Sequence, residues 1–230
     1  MQLLLPVSYN STQTFASFIE DNELDGVLIN ELQRAIVSDG FSAHYVAGAA
    51  GVGCSHVLNA ICHFANQKNK TSILLPMEQV VNASPEVIEG LESVDVVCID
   101  DIDIVKLSLK WQTAIFNLFN QLHQNGAKII FAGHLLPSQL ELELKDLKSR
   151  LQWCTVFQLH ELSEELKIKA IIQHAHHMEF EVTHEVAKFI INRVPRNMII
   201  LMQALDTVAK QSIAMKRMVT VPFVKEVLGI

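Results

Sequence analysis

The feature that most constrains the fold is a glycine-rich loop that joins an apolar strand to an amphipathic helix. The strand is AHYVAG and the helix is HVLNAICHFAN. The loop between them consists of Gly48, Ala49, Ala50, Gly51, Val52, Gly53, Cys54 and Ser55. Its three glycines allow the backbone to gather N–H groups at a helix N-terminus, an arrangement that attracts phosphate. The loop has the frame G-x-x-x-x-G-K-[ST], with Cys54 in the place of the lysine.

The residues around this loop predict a weakened nucleotide site. Ser55 is placed to contact Mg²⁺, whereas the neutral thiol of Cys54 lacks the charge-assisted phosphate contact of a lysine, worth about 1.5–3 kcal/mol. Downstream, the apolar strand VVCID ends in Asp100 and Asp101, as a Walker B element does. Asp100 would hold Mg²⁺ through water, and Asp101 would orient an attacking water. A tight strand-to-helix turn without a ligand remains the alternative for the glycines alone.

Short apolar runs alternate with segments of helical periodicity up to Leu159. The expected strands are AHYVAG, SILLP, VDVVCID, KIIFAG and CTVFQL, and the expected helices span about residues 27–38, 54–68, 84–91 and 110–125. This alternation predicts an α/β fold with a parallel sheet that helices cover on both faces. Ligands are then expected at the carboxyl ends of the strands.

Helical segments alone follow Leu159, at about residues 163–178, 183–193, 197–215 and 221–228. Ser163 is expected to cap the first of them. The pattern therefore predicts an N-terminal tail over residues 1–13, an α/β domain over 14–160 and a small all-helical lid domain over 161–230.

The composition narrows the class of partners. Eighteen basic and 25 acidic residues give a net charge of −7, which argues against tight sequence-independent binding to nucleic acid.

The four cysteines include no C-x-x-C pair, which favours reduced, buried thiols. The N-terminus lacks a basic signal-peptide segment, and no window reaches the roughly 18 apolar residues of a membrane span. We therefore expect a cytoplasmic protein that does not bind membranes.

Several segments resemble the AAA+ proteins of the DnaA group, and the resemblance covers nearly the whole chain. They are residues 14–18, the phosphate loop, VCID at 97–100, WQTAIFNLFN at 111–120, LKSRLQW at 147–153 and VPFVKEVL at 221–228. The resemblance implies an AAA+ P-loop sheet followed by a helical lid. Because the chain ends at Ile230, just after the lid, it is similar to the short regulatory members of the group rather than to the initiator, which carries a further DNA-reading domain.

The N-terminal hexapeptide resembles the segment that docks into the sliding clamp, the β subunit of DNA polymerase III. It consists of Gln2, Leu3, Leu4, Leu5, Pro6 and Val7. An extended segment stiffened by proline can place a glutamine amide in a polar pocket and Leu5 with Val7 in an apolar one. Leu4 replaces the usual small or acidic residue, and Val7 is smaller than the usual leucine or phenylalanine. An N-terminal strand that packs on the body is the alternative.

Arg150 lies just before the last expected strand, in the segment KSRL. In the resembling proteins an arginine at this place reaches the ATP of a neighbouring subunit, and an arginine supplied in trans can raise a rate by roughly 10³–10⁵. The resemblance therefore implies that Arg150 is an arginine finger that acts in trans. A surface salt bridge is the usual role of an arginine outside such a motif.

Three further positions depart from the pattern of the group. Ala132 and His134 stand where a polar sensor and an aspartate are usual, and Ile199 stands where the lid supplies a sensor arginine. Arg196 could replace that arginine only if it faced the cleft. With Cys54, these departures imply a site that holds ADP, another nucleoside diphosphate or no nucleotide, with Mg²⁺ only beside a nucleotide. We expect little ATP hydrolysis by the chain itself.

Taken with these departures, the resemblance implies a regulator of chromosomal replication initiation. It would bind the DNA-loaded clamp, and through it the nucleoid, and would stimulate hydrolysis of ATP held by the initiator DnaA, so that initiation is inhibited. DNA would be contacted only indirectly. Two alternatives remain open: a non-catalytic adaptor of the clamp or initiator, and a weak autonomous ATPase. A homo-oligomer that hides Arg150 is also compatible with the sequence.

One histidine cluster invites a metal interpretation. His174 and His177 share a helix face, with His176 beside them. No Cys, Asp or Glu completes a ligand set at a characteristic spacing, so we expect a solvated helix face.

Overall fold

The computed structural model describes residues 12–230, which form two compact units. One unit comprises residues 12–49 and 53–160, and the other comprises residues 50–52 and 161–230. The expected clamp-binding segment, Gln2 to Val7, lies outside the described residues.

The first unit is built on a five-stranded parallel sheet, as the sequence predicts. The strand order is β2-β3-β4-β1-β5. The strands are β1 (Ser42–Ala47), β2 (Ser72–Pro76), β3 (Val96–Asp100), β4 (Lys128–Gly133) and β5 (Thr155–Gln158). Ala47 is in register with Gly133, and Ile99 with Phe131. The carboxyl ends of β1, β3 and β4 therefore lie side by side, at the edge where ligands of parallel sheets bind.

Helices pack on both faces of this sheet. They are α1 (Glu23–Val37), α2 (Cys54–Gln67), α3 (Met77–Val80), α4 (Leu109–Asn125) and α5 (Lys145–Trp153). Cys98 of β3 contacts Cys62 of α2, whereas Phe131 of β4 stacks on Phe119 of α4 at 6.4 Å between ring centres. Because Phe131 is in register with Ile99, and neighbouring residues of a strand face opposite ways, α2 and α4 cover opposite faces.

The structure corrects two predictions of local structure. Residues 84–91 were expected to form a helix but form two 3-10 turns, Pro85–Ile88 and Leu91–Ser93. Gly90 separates the turns with a φ of +90°, which interrupts helical geometry. Helix α1 begins four residues earlier than expected because Asn22 caps it, accepting hydrogen bonds from the N–H groups of Leu24 and Asp25.

The second unit is helical and has a core of its own. Its helices are α6 (Glu164–His177), α7 (His184–Arg193), α8 (Met198–Met215) and α9 (Val221–Leu228). The predicted cap is confirmed, since Ser163 accepts a hydrogen bond from the Leu166 N–H. Ile171, Leu201 and Phe223 are fully buried in the core. Lys167 is also buried, where its ammonium donates to the Glu161 carboxylate and to the Arg196 carbonyl.

Candidate functional site

The phosphate loop has the backbone geometry that its glycines allow. Gly51 and Gly53 adopt φ values of +89° and +113°, a region that L side chains rarely occupy. A Cβ added to Gly53 would lie 3.2 Å from Cε2 of Phe18. Gly53 is also the N-cap of α2, and having no side chain it makes no side-chain capping hydrogen bond. The helix therefore presents backbone N–H groups and the positive end of its dipole to an anion.

Cys54 is the first residue of α2 and stays neutral at physiological pH. Burial raises the pKa of its thiol to about 12, and the nearby carboxylate of Asp100 adds to the increase. Cys54 thus supplies neither the positive charge of a lysine nor the negative charge of a thiolate.

Ser55 and Asp100, which the sequence predicts to share Mg²⁺, lie next to each other. The Ser55 hydroxyl donates a hydrogen bond to the Asp100 carboxylate, and the Asp101 N–H donates to Asp100 Oδ1 at 3.1 Å. Asp100 is 7% exposed, and burial raises the pKa of its carboxyl. The pair offers one hydroxyl and one carboxylate beside the phosphate loop, which is the oxygen chemistry that Mg²⁺ prefers.

Asp101 places its carboxylate near His134, the residue that follows β4. Its φ of +54° is unusual for a residue other than glycine, and its Oδ1 lies 3.7 Å from Nδ1 of His134. Burial raises the pKa of the Asp101 carboxyl, and the like charge of Asp100 raises it further. The predicted water-orienting carboxylate thus faces an imidazole in this structure.

The sequence reasoning missed Asp103, which organises the end of β4. Its carboxylate accepts hydrogen bonds from the N–H groups of His134 at 2.6 Å and Leu135 at 3.1 Å. The Tyr45 hydroxyl donates to the Leu135 carbonyl at 2.8 Å. Gly133 fits there because a Cβ would lie 2.5 Å from Asp103 Oδ2 and would also meet the Tyr45 hydroxyl. A third aspartate two residues beyond Asp101 was the available signal.

The two departures expected at the end of β4 differ in their surroundings. Ala132 is fully buried and offers no polar atom. His134 is 48% exposed at its side chain, and its Nδ1 lies 3.6 Å from Asp103 Oδ2 as well as near Asp101. An imidazole close to two carboxylates therefore occupies the position where an aspartate is expected.

Arg150 lies in the last turn of α5 and contacts aromatic rings rather than a carboxylate. Its guanidinium carbon is 5.3 Å from the ring centre of Trp153 and 5.7 Å from that of Phe119. Over residues 12–230, no carboxylate lies within 4.0 Å of its nitrogens. Three other arginines do form such ion pairs, namely Arg34, Arg196 and Arg217.

Two positions of the helical unit, Arg196 and Ile199, lie at or just before the start of α8. Ile199 is the second residue of α8 and is 50% exposed. Arg196 is paired with Glu164, with an NH2-to-Oε2 distance of 3.5 Å. The arginine that could substitute for the absent sensor is thus engaged by a carboxylate of α6.

The histidines of α6 form no metal site in the described residues. His174 Nε2 lies 3.0 Å from Asp206 Oδ1, and no group of three or more His, Cys, Asp or Glu side chains gathers between residues 12 and 230. Within the same range, no helix is long and apolar enough to cross a membrane.

Comparison with protein families accounts for both units. The model of the bacterial DnaA ATPase domain matches residues 9–158, and the model of the Hda lid domain matches residues 164–228. The chain belongs to the bacterial DnaA family. It combines a DnaA-type ATPase domain with an Hda-type lid, which identifies a DnaA homologue related to the regulation of replication initiation.

Solved structures show the same fold for this DnaA homologue. Domain III of Thermotoga maritima DnaA matches with a TM-score of 0.82 and 22% identity, over 98% of each chain. AMPPCP-bound DnaA from Aquifex aeolicus matches with a TM-score of 0.71 and 20% identity, over 89% of this chain and 67% of that one. The Thermotoga maritima RuvB branch migration motor matches with a TM-score of 0.68 and 17% identity, over 94% and 71%. These similarities confirm the predicted AAA+ architecture.

Proposed function

We propose that this DnaA homologue binds the DNA-loaded sliding clamp through Gln2 to Val7 and stimulates hydrolysis of ATP held by the initiator DnaA. Arg150 would supply the positive charge in trans. The initiator would then pass to its ADP form, and initiation would be inhibited. DNA and the nucleoid would be reached only through the clamp, in keeping with the net charge of −7.

The observation that supports this proposal most directly is that Arg150 has no carboxylate partner among the described residues. Its guanidinium forms no ion pair with the described residues, so no such pair has to be broken before it meets a phosphate. An arginine delivered to a transferring phosphoryl group stabilises charge that develops in the transition state, with a rate effect of roughly 10³–10⁵.

The chain's own nucleotide site supports a regulatory rather than an autonomous role. The loop offers N–H groups to phosphate, but Cys54 is neutral and Ala132 is apolar. Ile199 cannot pair with a γ-phosphate. These residues fit a nucleoside diphosphate better than ATP. When bound, Mg²⁺ would neutralise phosphate charge, and Ser55 with Asp100 would hold it.

The decisive experiment follows single-turnover hydrolysis of labelled ATP preloaded on the cognate initiator, with DNA-loaded clamp present. The variants are Arg150→Ala, a deletion of residues 2–7, and Arg193→Ala as a matched control. Arg193 also lies over an aromatic ring, that of Phe189, at 5.9 Å. We expect the wild type and Arg193→Ala to accelerate hydrolysis, and the other two to lose the acceleration.

Other outcomes would identify the rival functions. Acceleration that persists in Arg150→Ala would contradict the finger and leave an adaptor. Turnover of ATP by the isolated protein above background would instead indicate an autonomous ATPase.

A further inference from the structure

Arg150 contacts two aromatic rings that differ in their exposure to solvent. Phe119 of α4 is fully buried, and it packs against Phe131 at 6.4 Å and Phe41 at 5.3 Å between ring centres. Trp153 is 67% exposed and follows Arg150 by three residues in α5, so both project from the same face of the helix. The guanidinium therefore contacts one buried ring and one exposed ring.

This arrangement orients the guanidinium without using up its hydrogen-bond donors. A cation held by an aromatic ring interacts with the π face, whereas the N–H groups of arginine lie at the edge of the guanidinium plane. A carboxylate partner would occupy those N–H groups, as the Glu226 carboxylate does for Arg217 with distances of 2.9 and 3.1 Å. The rings thus limit the rotamers of Arg150 while its N–H groups remain available to a phosphate.

We infer that Trp153 is a positioning residue for Arg150: its indole holds the guanidinium in the direction in which it meets the partner's nucleotide. This inference rests on the proposed function, because it assigns the orientation of the finger. Phe119 is the fully buried ring of the two, and a substitution there would also disturb the core. Trp153 is largely exposed, so it can be substituted without opening a cavity in the core. The ring of His123 lies beside it, at 6.3 Å between ring centres.

The first test uses the single-turnover assay with two substitutions at Trp153. Trp153→Ala removes the ring, and Trp153→Phe keeps a π face of smaller area. We expect Trp153→Ala to lower the maximal stimulated rate by roughly 3- to 10-fold, the range expected for loss of one partly exposed cation–π contact. The concentration of protein that gives half-maximal stimulation should change less than about 2-fold, and Trp153→Phe should recover most of the rate.

The second test measures the contact itself in the isolated protein. The chain contains two tryptophans, so labelling with 5-fluorotryptophan gives two ¹⁹F resonances, which Trp153→Phe assigns. We expect Arg150→Ala to shift the Trp153 resonance and leave that of buried Trp111 in place. Arg193→Ala is the control and should shift neither.

Each contrary outcome has its own meaning. A full maximal rate in Trp153→Ala, with Arg150→Ala inactive, would overturn the positioning role and leave the finger intact. A change in half-maximal concentration alone, without recovery in Trp153→Phe, would show that the ring contacts the partner directly and would also overturn it. A Trp153 resonance that ignores Arg150→Ala would do the same. A wild type without stimulation would refute the proposed function, and the positioning role would fall with it.

Discussion

The carboxylate of Asp103 and the backbone N–H of His134 are joined by a hydrogen bond of 2.6 Å. A second bond, from the Leu135 N–H, completes a two-point clasp of the turn after β4. The clasp holds the His134 imidazole within 3.7 Å of Asp101. The geometry at the end of β4 thus depends on a residue that lies three positions after the end of β3.

Asp103→Ala should loosen this turn. Loss of two charge-assisted bonds to exposed N–H groups is expected to reduce the free energy of unfolding by about 1–2 kcal/mol, since water replaces part of the bonding. Amide exchange at His134 and Leu135 should accelerate. Urea denaturation followed by tryptophan fluorescence reports on this unit because both tryptophans lie in it. Glu141→Ala removes an exposed carboxylate on the same unit as a control, and equal losses in the two variants would contradict the clasp.

Cys54→Lys should strengthen nucleotide binding. The substitution places an ammonium group at the N-terminus of α2, near Asp100, and a charge-assisted phosphate contact is worth about 1.5–3 kcal/mol. We therefore expect the Kd for ADP, measured by titration calorimetry with Mg²⁺, to fall by roughly 10- to 100-fold. Cys54→Ser is the matched control and keeps a small neutral side chain. If Cys54→Lys binds ADP no more tightly than Cys54→Ser and the wild type do, the side chain at position 54 does not contact a bound phosphate.

His44 should make stability depend on pH below about 6.5. Its side chain is 3% exposed, its Nδ1 has no hydrogen-bond partner in the described residues, and burial lowers the pKa of its imidazole, with Glu31 opposing. Between the lowered pKa and about 6.5 the unfolded chain binds more protons, so stability falls as pH falls, by at most about 1.4 kcal/mol per pH unit.

His44→Phe tests this dependence because it keeps an aromatic ring beside Phe157. Urea denaturation at several pH values between about 5 and 7 should show a shallower slope for the variant than for the wild type. His160→Gln removes an exposed imidazole from the same unit. If His160→Gln reduces the slope of unfolding free energy against pH as much as His44→Phe does, the pH dependence does not come from His44.

Lys167→Met should destabilise the helical unit. The buried ammonium group donates to the Arg196 carbonyl at 3.0 Å. The substitution leaves this carbonyl without its donor, which is expected to lower the free energy of unfolding by about 1–3 kcal/mol. Far-UV circular dichroism is the suitable measurement because the helical unit contains no tryptophan. Lys169→Met is the control at an exposed position of the same helix. Equal melting temperatures for the two variants would show that the buried contact contributes nothing.

The fold could be predicted because hydrophobic periodicity carries it. Each apolar run became a strand, and the predicted parallel sheet is confirmed. The helix predicted over residues 84–91 was wrong. The prediction relied on the helical spacing of the apolar positions and ignored Gly90, whose positive φ divides the segment. Helix α5 was missed because it is only nine residues long and carries few apolar positions.

The site could be predicted only where chemistry is local in sequence. The phosphate loop and the strand ending in Asp100 are read from neighbouring residues, and the structure places Ser55 beside Asp100. Asp103 and Tyr45 could not be predicted because their hydrogen-bond partners lie just beyond β4, 31 and 90 residues away in the sequence. The rings around Arg150 come from two helices, and only tertiary packing brings Phe119 to that place.

Residues 12–17 are attached to α2, the helix that begins at the end of the phosphate loop. His56 Nε2 lies 3.0 Å from the Thr14 carbonyl oxygen, and Ser17 Oγ donates to the Thr12 carbonyl at 2.8 Å. The start of the described chain is therefore fixed to the helix that begins at Cys54.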